Sequence, residues 1–297
     1  IAVRRVGRFH FELWQIMLLG AAAVLVTGQI GPLQALHAID PDIMLFLFGV
    51  FVVGQALEES GYLFHLSYRV FRRATTADGL VLLILFGAGL ASAFLMNDTL
   101  AVIGTPLVLL LAKQHRMSPK VLLLALAFAV TLGSVVSPIG NPQNLLVAIH
   151  GRMENPFVEF FRYLALPTAI NLLAAFFLLK FFYHESFHGD ALVHVRQELR
   201  DKSLARLARL SLMLIVTLAT AKVVLVFAMP QIEFRLTVIA LIAAAPILLF
   251  SPKRWRVVRH IDWRTLVFFA AMFVLMASVW NSGFFQAVMT QWHLNIA

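Results

Sequence analysis

Residues 79–113 read GLVLLILFGAGLASAFLMNDTLAVIGTPLVLLLAK, and residues 119–150 read PKVLLLALAFAVTLGSVVSPIGNPQNLLVAIH. Each is an apolar run of helical length interrupted by polar residues. The first break is Met96-Asn97-Asp98-Thr99. The second is Ser137-Pro138-Ile139-Gly140-Asn141-Pro142-Gln143-Asn144. In a bilayer, broken helices are tolerated only where the freed backbone is buried in protein or lines a cavity. Two such breaks close in sequence are the pattern of a secondary transporter's binding site.

The rest of the chain supplies the setting. Of its 297 residues, 61% are hydrophobic and only 13% are charged, about half the charged share of an ordinary soluble domain. Several apolar runs are long enough to cross a membrane. The chain therefore reads as an all-α, multi-pass protein of the cell membrane, in contact with lipid. There are no cysteines, which excludes disulfides, thiolate metal sites and cysteine catalysis. The net charge of +9 needs no nucleic acid, because an excess of Lys and Arg in cytoplasmic loops is normal for membrane proteins.

Spans are expected at 13–30, 43–57, 157–183, 207–229, 234–250 and 265–281. An interfacial helix is expected at 61–74, where Leu63, Leu66 and Val70 alternate with His65, Arg69, Arg72 and Arg73. Residues 283–297 look amphipathic. The basic start, 69–73, 113–120, 196–209 and the loop 253–264 should be cytoplasmic, and the loops 31–42 and 230–233 outside. These sides agree only if 79–113 enters and leaves on one face as a hairpin. Its arms reach about 27 and about 22 Å against a core of about 30 Å, so the tip at Asn97-Asp98 can stop inside the membrane. Residues 119–150 must cross once, as a broken helix.

An internal repeat agrees with this. Ile39-Asp40, Phe51-Val52 and Ser60-Gly61 recur as Ile261-Asp262, Phe273-Val274 and Ser282-Gly283, always 222 residues apart. The loop before the first copy has no Lys or Arg, and the one before the second is rich in them. The two copies should therefore have opposite topology. This divides the chain into a first repeat at 1–183, a cytoplasmic linker at 184–205 and the start of a second, incomplete repeat at 206–297. Second copies of the two breaks would fall beyond Ala297. Asn97, Asp98 and Asn144 are expected to meet beside a groove lined by apolar and small residues, unless dimerisation supplies the second half-site.

Asp98 is the sharpest candidate residue, because a carboxylate at bilayer depth is costly and marks function. Two plainer readings stand beside it: a cap for a helix starting at Thr99, and an exposed outer turn. A capping carboxylate satisfies its own helix terminus, which favours a cation or a neutral hydroxylated ligand there. In the second break, Asn141 and Asn144 carry amides that donate and accept. The N-terminus of the helix that follows suits an anion. The plain reading of that break is an ordinary loop. Lys222 is placed to reach for the outer interface. Glu58 and Glu59 end a span, with Gln55 and Glu58 able to face a cavity. His184, His188 and His194 read as solvated histidines and not a metal site.

The series Asn97-Asp98-Thr99, Thr105-Pro106 and Ser137-Pro138-Ile139-Gly140-Asn141-Pro142-Gln143-Asn144-Leu145-Leu146 resembles the ion transporter superfamily. The most similar branch holds arsenite permeases, NhaD-type sodium/proton antiporters, citrate carriers of the CitMHS type and SLC13-like anion permeases. The resemblance implies a re-entrant hairpin and a broken transmembrane helix per repeat, a homodimer, and elevator-type alternating access. It matches Asn97, Asp98 and Thr99 to the hairpin-tip site, and Gly140, Asn141, Pro142 and Asn144 to the broken-helix site. Dicarboxylate carriers have Ser-Asn-Thr type tips, so Asp98 speaks against a dicarboxylate.

The resulting expectation is a secondary transporter, without a cofactor, of a small anion or oxyacid: arsenite-like, inorganic or carboxylate. Asp98 would take up the coupling ion, H+ or Na+, with Na+ also reaching Asn97 and Asn141. Substrate would meet Asn97, Thr99, Ser137, Gly140, Asn141, Pro142 and Asn144. The alternative is a sodium/proton antiporter. A membrane enzyme would need a second carboxylate or a histidine near Asp98, and a passive channel would need a continuous pore.

Overall fold

Apolar runs bounded by caps and prolines make this chain helical almost throughout. The computed structural model describes residues 5–6, 9–62, 65, 74–115, 117–151, 153–187, 200–228 and 235–283. A two-residue antiparallel pairing of Arg5–Val6 with Phe9–His10 precedes the helices. These are α1 (Leu13–Val26), α2 (Pro32–Ala38), α3 (Pro41–Ser60), α4 (Ala77–Ser92), α5 (Asn97–Gln114), α6 (Pro119–Ser134), α7 (Pro142–His150), α8 (Pro156–Phe182), α9 (Lys202–Ala228), α10 (Leu236–Phe250), α11 (Arg254–His260) and α12 (Trp263–Asn281). Among the described residues, α3, α8, α9 and α12 are long and apolar enough to cross a membrane. This is an all-α, multi-pass membrane protein.

Several boundaries differ from those read in the sequence. The loop at 31–42 contains helix α2, started by Pro32 at its first turn. The short second span is lengthened to Pro41–Ser60, because Asp40 Oδ1 accepts from the N–H groups of Asp42 and Ile43 at 2.9 and 3.2 Å. The first span ends early, at Val26, where Gly28 turns the chain with φ +69°. The basic loop 253–264 holds helix α11. The span expected from 207 begins at Lys202, with Asp201 Oδ1 accepting from Ser203 and Leu204 N–H. Lys222, expected to reach for the outer interface, is only 8% exposed within α9 and so is packed in protein. The interfacial helix at 61–74 falls largely on 63–64 and 66–73, outside the described residues. The same holds for the loop 230–233, the amphipathic end and most of the linker.

The chain divides into two compact units, residues 1–48 with 262–297, and residues 49–261, and α3 runs through the boundary. In the first unit, α1 and α2 pack on α12 around Met17, Ala21, Ile30, Ala35, Ala271 and Val274. Arg264 Nη1 donates to both carboxylate oxygens of Glu12, at 2.9 and 2.7 Å.

In the second unit, α6 is central. Both α4 and α5 pack on it, and α8 covers it too, while α9 and α10 pair separately. Helices α4 and α5 therefore hold α6 more than they hold each other. Glycine makes the closest crossing possible. A Cβ on Gly133 of α6 would stand 2.3 Å from both the Cα and the carbonyl oxygen of Gly89 on α4. Small residues let membrane helices approach to backbone contact, where packing replaces the missing hydrophobic drive. One turn away, buried Ser92 Oγ donates to Val130 O at 2.8 Å.

The 222-residue spacing extends into local structure. Helices α2 and α11 differ by that spacing at both ends. Asp40 and Asp262 then cap α3 and α12 with Oδ1. Ser60 Oγ donates to Leu57 O, and Ser282 Oγ to Val279 O. Gly61 and Gly283 follow with φ of +71° and +74°, the left-handed conformation that glycine adopts without penalty. The same sequence signals thus build the same short helix, capped long helix and glycine turn twice.

Candidate functional site

The two breaks meet. The backbone N–H of Asn97 donates to the carbonyl of Gly140 at 2.9 Å. Asn97 is the first residue of α5, so its N–H is one of the four that a helix start leaves without an intrahelical acceptor. The second break supplies that acceptor. The junction is buried: Leu95, Met96 and Ile139 are at most 2% exposed, and Ser137 and Asn141 are below a tenth. Met96, directly before the tip, is therefore packed inside the protein against the second break. Helix α5 starts at Asn97 with Met96 at its N-cap. The backbone of Asp98 lies inside the first turn, so Asp98 is not the cap of a helix beginning at Thr99.

The second break is a built structure. Helix α6 ends at Ser134, and α7 begins at Pro142, which lacks the N–H that would be unsatisfied there. Asn141 Oδ1 accepts from Asn144 N–H at 2.8 Å, capping α7, and Asn141 Nδ2 donates to Ser134 Oγ at 3.2 Å. Asn144 Nδ2 faces the carbonyls of Ser134, Val135 and Ser137 at 3.3, 3.0 and 2.9 Å. Ser134 O and Ser137 O also accept the turn N–H groups of Ser137 and Gly140 at 3.4 and 3.3 Å, so the amide adds a second donor there and serves Val135 O just past the end of α6. Ser137 Oγ accepts from Ile139 N–H at 3.3 Å. Gly140 lies against the end of α6, where an added Cβ would stand 2.2 Å from Ser134 O. Its missing side chain lets the strand of the break fold back and present its carbonyl to Asn97.

Of the residues singled out from sequence, Ser137, Gly140, Asn141, Pro142 and Asn144 form one cluster, and Asn97 joins it through its backbone. Asp98 and Thr99 follow in the first turn of α5. Sequence reading missed Ser134, whose hydroxyl and carbonyl receive both asparagine amides, and the crossing of Gly89 and Gly133. The small pair Gly133-Ser134 at the end of an apolar run was the available signal. The N-termini of α5 and α7 and the C-terminus of α6 converge here. The arrangement offers backbone dipoles of both signs in a buried setting, suited to a small polar solute or ion. The apolar groove of about 510 Å³ beside Ala74, Thr76, Leu82 and Phe86 lies at the start of α4, the far end of that arm from the tip.

Residues 7–296 match the citrate transporter family, CitMHS. The chain belongs to that family. It is 31% identical over 237 residues to the inner membrane protein YbiR of Escherichia coli K12, covering 80% of this chain and 59% of that protein. It is 37% identical over 143 residues to the silicon efflux transporter LSI3 of Oryza sativa subsp. japonica, covering 48% of this chain and 29% of that protein. It is 25% identical over 145 residues to the putative transporter arsB of Dictyostelium discoideum, covering 49% of this chain and 25% of that protein. This CitMHS-family chain thus spans less than two thirds of the length of these relatives.

Proposed function

We propose that this CitMHS-family chain forms part of a secondary active transporter. Its cargo is a small anion or oxyacid, coupled to H+ or Na+, and it works by elevator-type alternating access with inverted repeats. The observation that carries the proposal is the buried hydrogen bond from Asn97 N–H to Gly140 O at 2.9 Å. It joins two helix breaks that have no role in a plain bundle. Relatives named for silicon efflux and for arsB favour an oxyacid within the proposed class. A hydroxylated oxyacid both donates and accepts, as does a site edged by helix ends of both polarities.

In this proposal Asp98 takes up the coupling cation, with Na+ also held by Asn97 and Asn141. Ser137, Gly140, Pro142 and Thr99 border the substrate, while Asn141 and Asn144 fix the break it meets. The test is uptake into proteoliposomes of arsenite, silicic acid, citrate and sodium under imposed proton and sodium gradients. Gradient-driven, saturable flux of an oxyacid or anion is expected, and Asp98→Asn should remove its dependence on the gradient. Flux of sodium alone against protons would replace the proposal with an antiporter. Full gradient-driven flux by Asp98→Asn would remove Asp98 from the coupling role.

A further inference from the structure

We propose that helix α11 is a docking surface for anionic phospholipid headgroups. The proposal starts from a comparison that the chain makes with itself. Helices α2 and α11 occupy the same place in the 222-residue repeat, and each has seven residues. Each turns the same register position inward: Ala35 is 5% exposed and Val257 0%. Each turns the same position outward: Leu33 is 67% exposed and Trp255 75%. They differ in charge. PLQALHA contains no Lys or Arg, whereas RWRVVRH, preceded by Lys253, contains three arginines. The short helix forms without cations in the first copy, so the local fold does not require them in the second. The cations belong to the surroundings of α11.

Some of that charge is used internally. Arg256 Nε lies 3.5 Å from Glu59 Oε2, His260 Nδ1 lies 3.6 Å from Glu59 Oε1, and Lys253 pairs with Asp201. Arg254 and Arg259 lie outside those ion pairs and are exposed, Arg254 also donating from Nη1 to Leu249 O at 3.5 Å, and Trp255 follows Arg254 in the chain. Helix α10 ends on Leu249 and Phe250, 64% and 71% exposed, as side chains that meet lipid tails would be. Helix α11 starts four residues after Phe250, and the proposal sets it where tails give way to headgroups. An indole favours that layer. Guanidinium groups bind phosphate in a bidentate fork, and basic residues just outside a bilayer are attracted to its anionic lipids. Apolar body, indole and two exposed arginines without a carboxylate partner among the ion pairs above match one partner, a phospholipid with net negative charge.

The test uses the whole chain in vesicles. With Trp14, Trp263, Trp280 and Trp292 replaced by Phe, Trp255 is the sole indole. Its fluorescence is measured in phosphatidylcholine vesicles carrying an equal fraction of brominated phosphatidylglycerol or of brominated phosphatidylcholine. Stronger quenching by the brominated anionic lipid is expected. The ratio should fall to about one in the R254Q/R259Q double variant. In a companion chain with Trp255→Phe and Leu33→Trp, the indole on α2 should show no preference. Equal quenching by both lipids in the parent chain overturns the proposal. So does a preference unchanged by R254Q/R259Q, or an equal preference at α2. If the double variant does not fold, salt titration of the parent chain decides. The preference should fade as screening shortens to a few ångströms near 1 M salt, and a salt-independent preference also overturns the proposal.

Discussion

At the scale of single residues, the second break is held by side chains that replace lost helical bonds. Asn144 has the largest share, with Nδ2 set against the carbonyls of Ser134 and Val135 at the end of α6 and of Ser137 in the break. Asn144→Ala should destabilise the protein by about 1–3 kcal/mol, because Val135 O loses the amide donor while Ser134 O and Ser137 O keep only their turn N–H groups, read as a lower unfolding temperature in nanodiscs. Asn144→Asp should be no better, because its oxygens meet carbonyls where donors are needed. Sequence alone pointed to Asn141 and Asn144 because they follow prolines and a glycine inside apolar sequence. It suggested amides turned toward a solute. Which way an amide points depends on where the opposite helix ends, and no local pattern carries that. Asp98 shows the same limit. The start of α5 is set by Gly140, 43 residues downstream, so a cap read from neighbours alone came out two residues late.

Between elements, the crossing of α4 and α6 carries the hairpin. Gly133→Ala would place a methyl group 2.3 Å from the Gly89 backbone and force the helices apart. A loss of about 1–3 kcal/mol is expected for overpacking, with lower yield of folded protein. Gly31→Ala, whose Cβ would have no neighbour closer than 3.7 Å, serves as the tolerant control. The two helix breaks were legible, because apolar length and polar interruptions are local signals. That α4 and α5 clasp α6 was not, because it depends on glycines matched across two helices.

A second element-scale prediction concerns Asp201, which starts α9. The Lys253 ammonium, followed by the Leu204 and Ser203 backbone N–H groups, holds its carboxyl below the ordinary carboxylate value. A lowered folded-state pKa stabilises the fold above the unfolded-state value of about 3.9 and is lost as pH falls through the folded-state value. Lys253→Met removes that ammonium. Its destabilisation should be seen near neutral pH and shrink on acidification below about pH 4, measured by unfolding temperature against pH. A penalty that stays constant down to the lowest pH would remove the ion pair as its source.

For the whole molecule, the local register of α2 and α3, read from three short matches, returns in α11 and α12 as a short helix, a capped long helix and a glycine turn. The opposite topology of the repeat's copies, the substrate and the coupling ion belong to the proposal, and the chain spans 59% of YbiR and 29% of LSI3. The central claim is that the hairpin tip lies on a path open to each side of the membrane in turn. The chain has no cysteine, so Asn97→Cys gives a single reporter without background. The measurement is its rate of reaction with a membrane-impermeant maleimide, applied to either face of oriented vesicles with and without transported solute. The account predicts reaction from both faces, slowed by the solute. Reaction from one face only, at a rate the solute does not change, would contradict it.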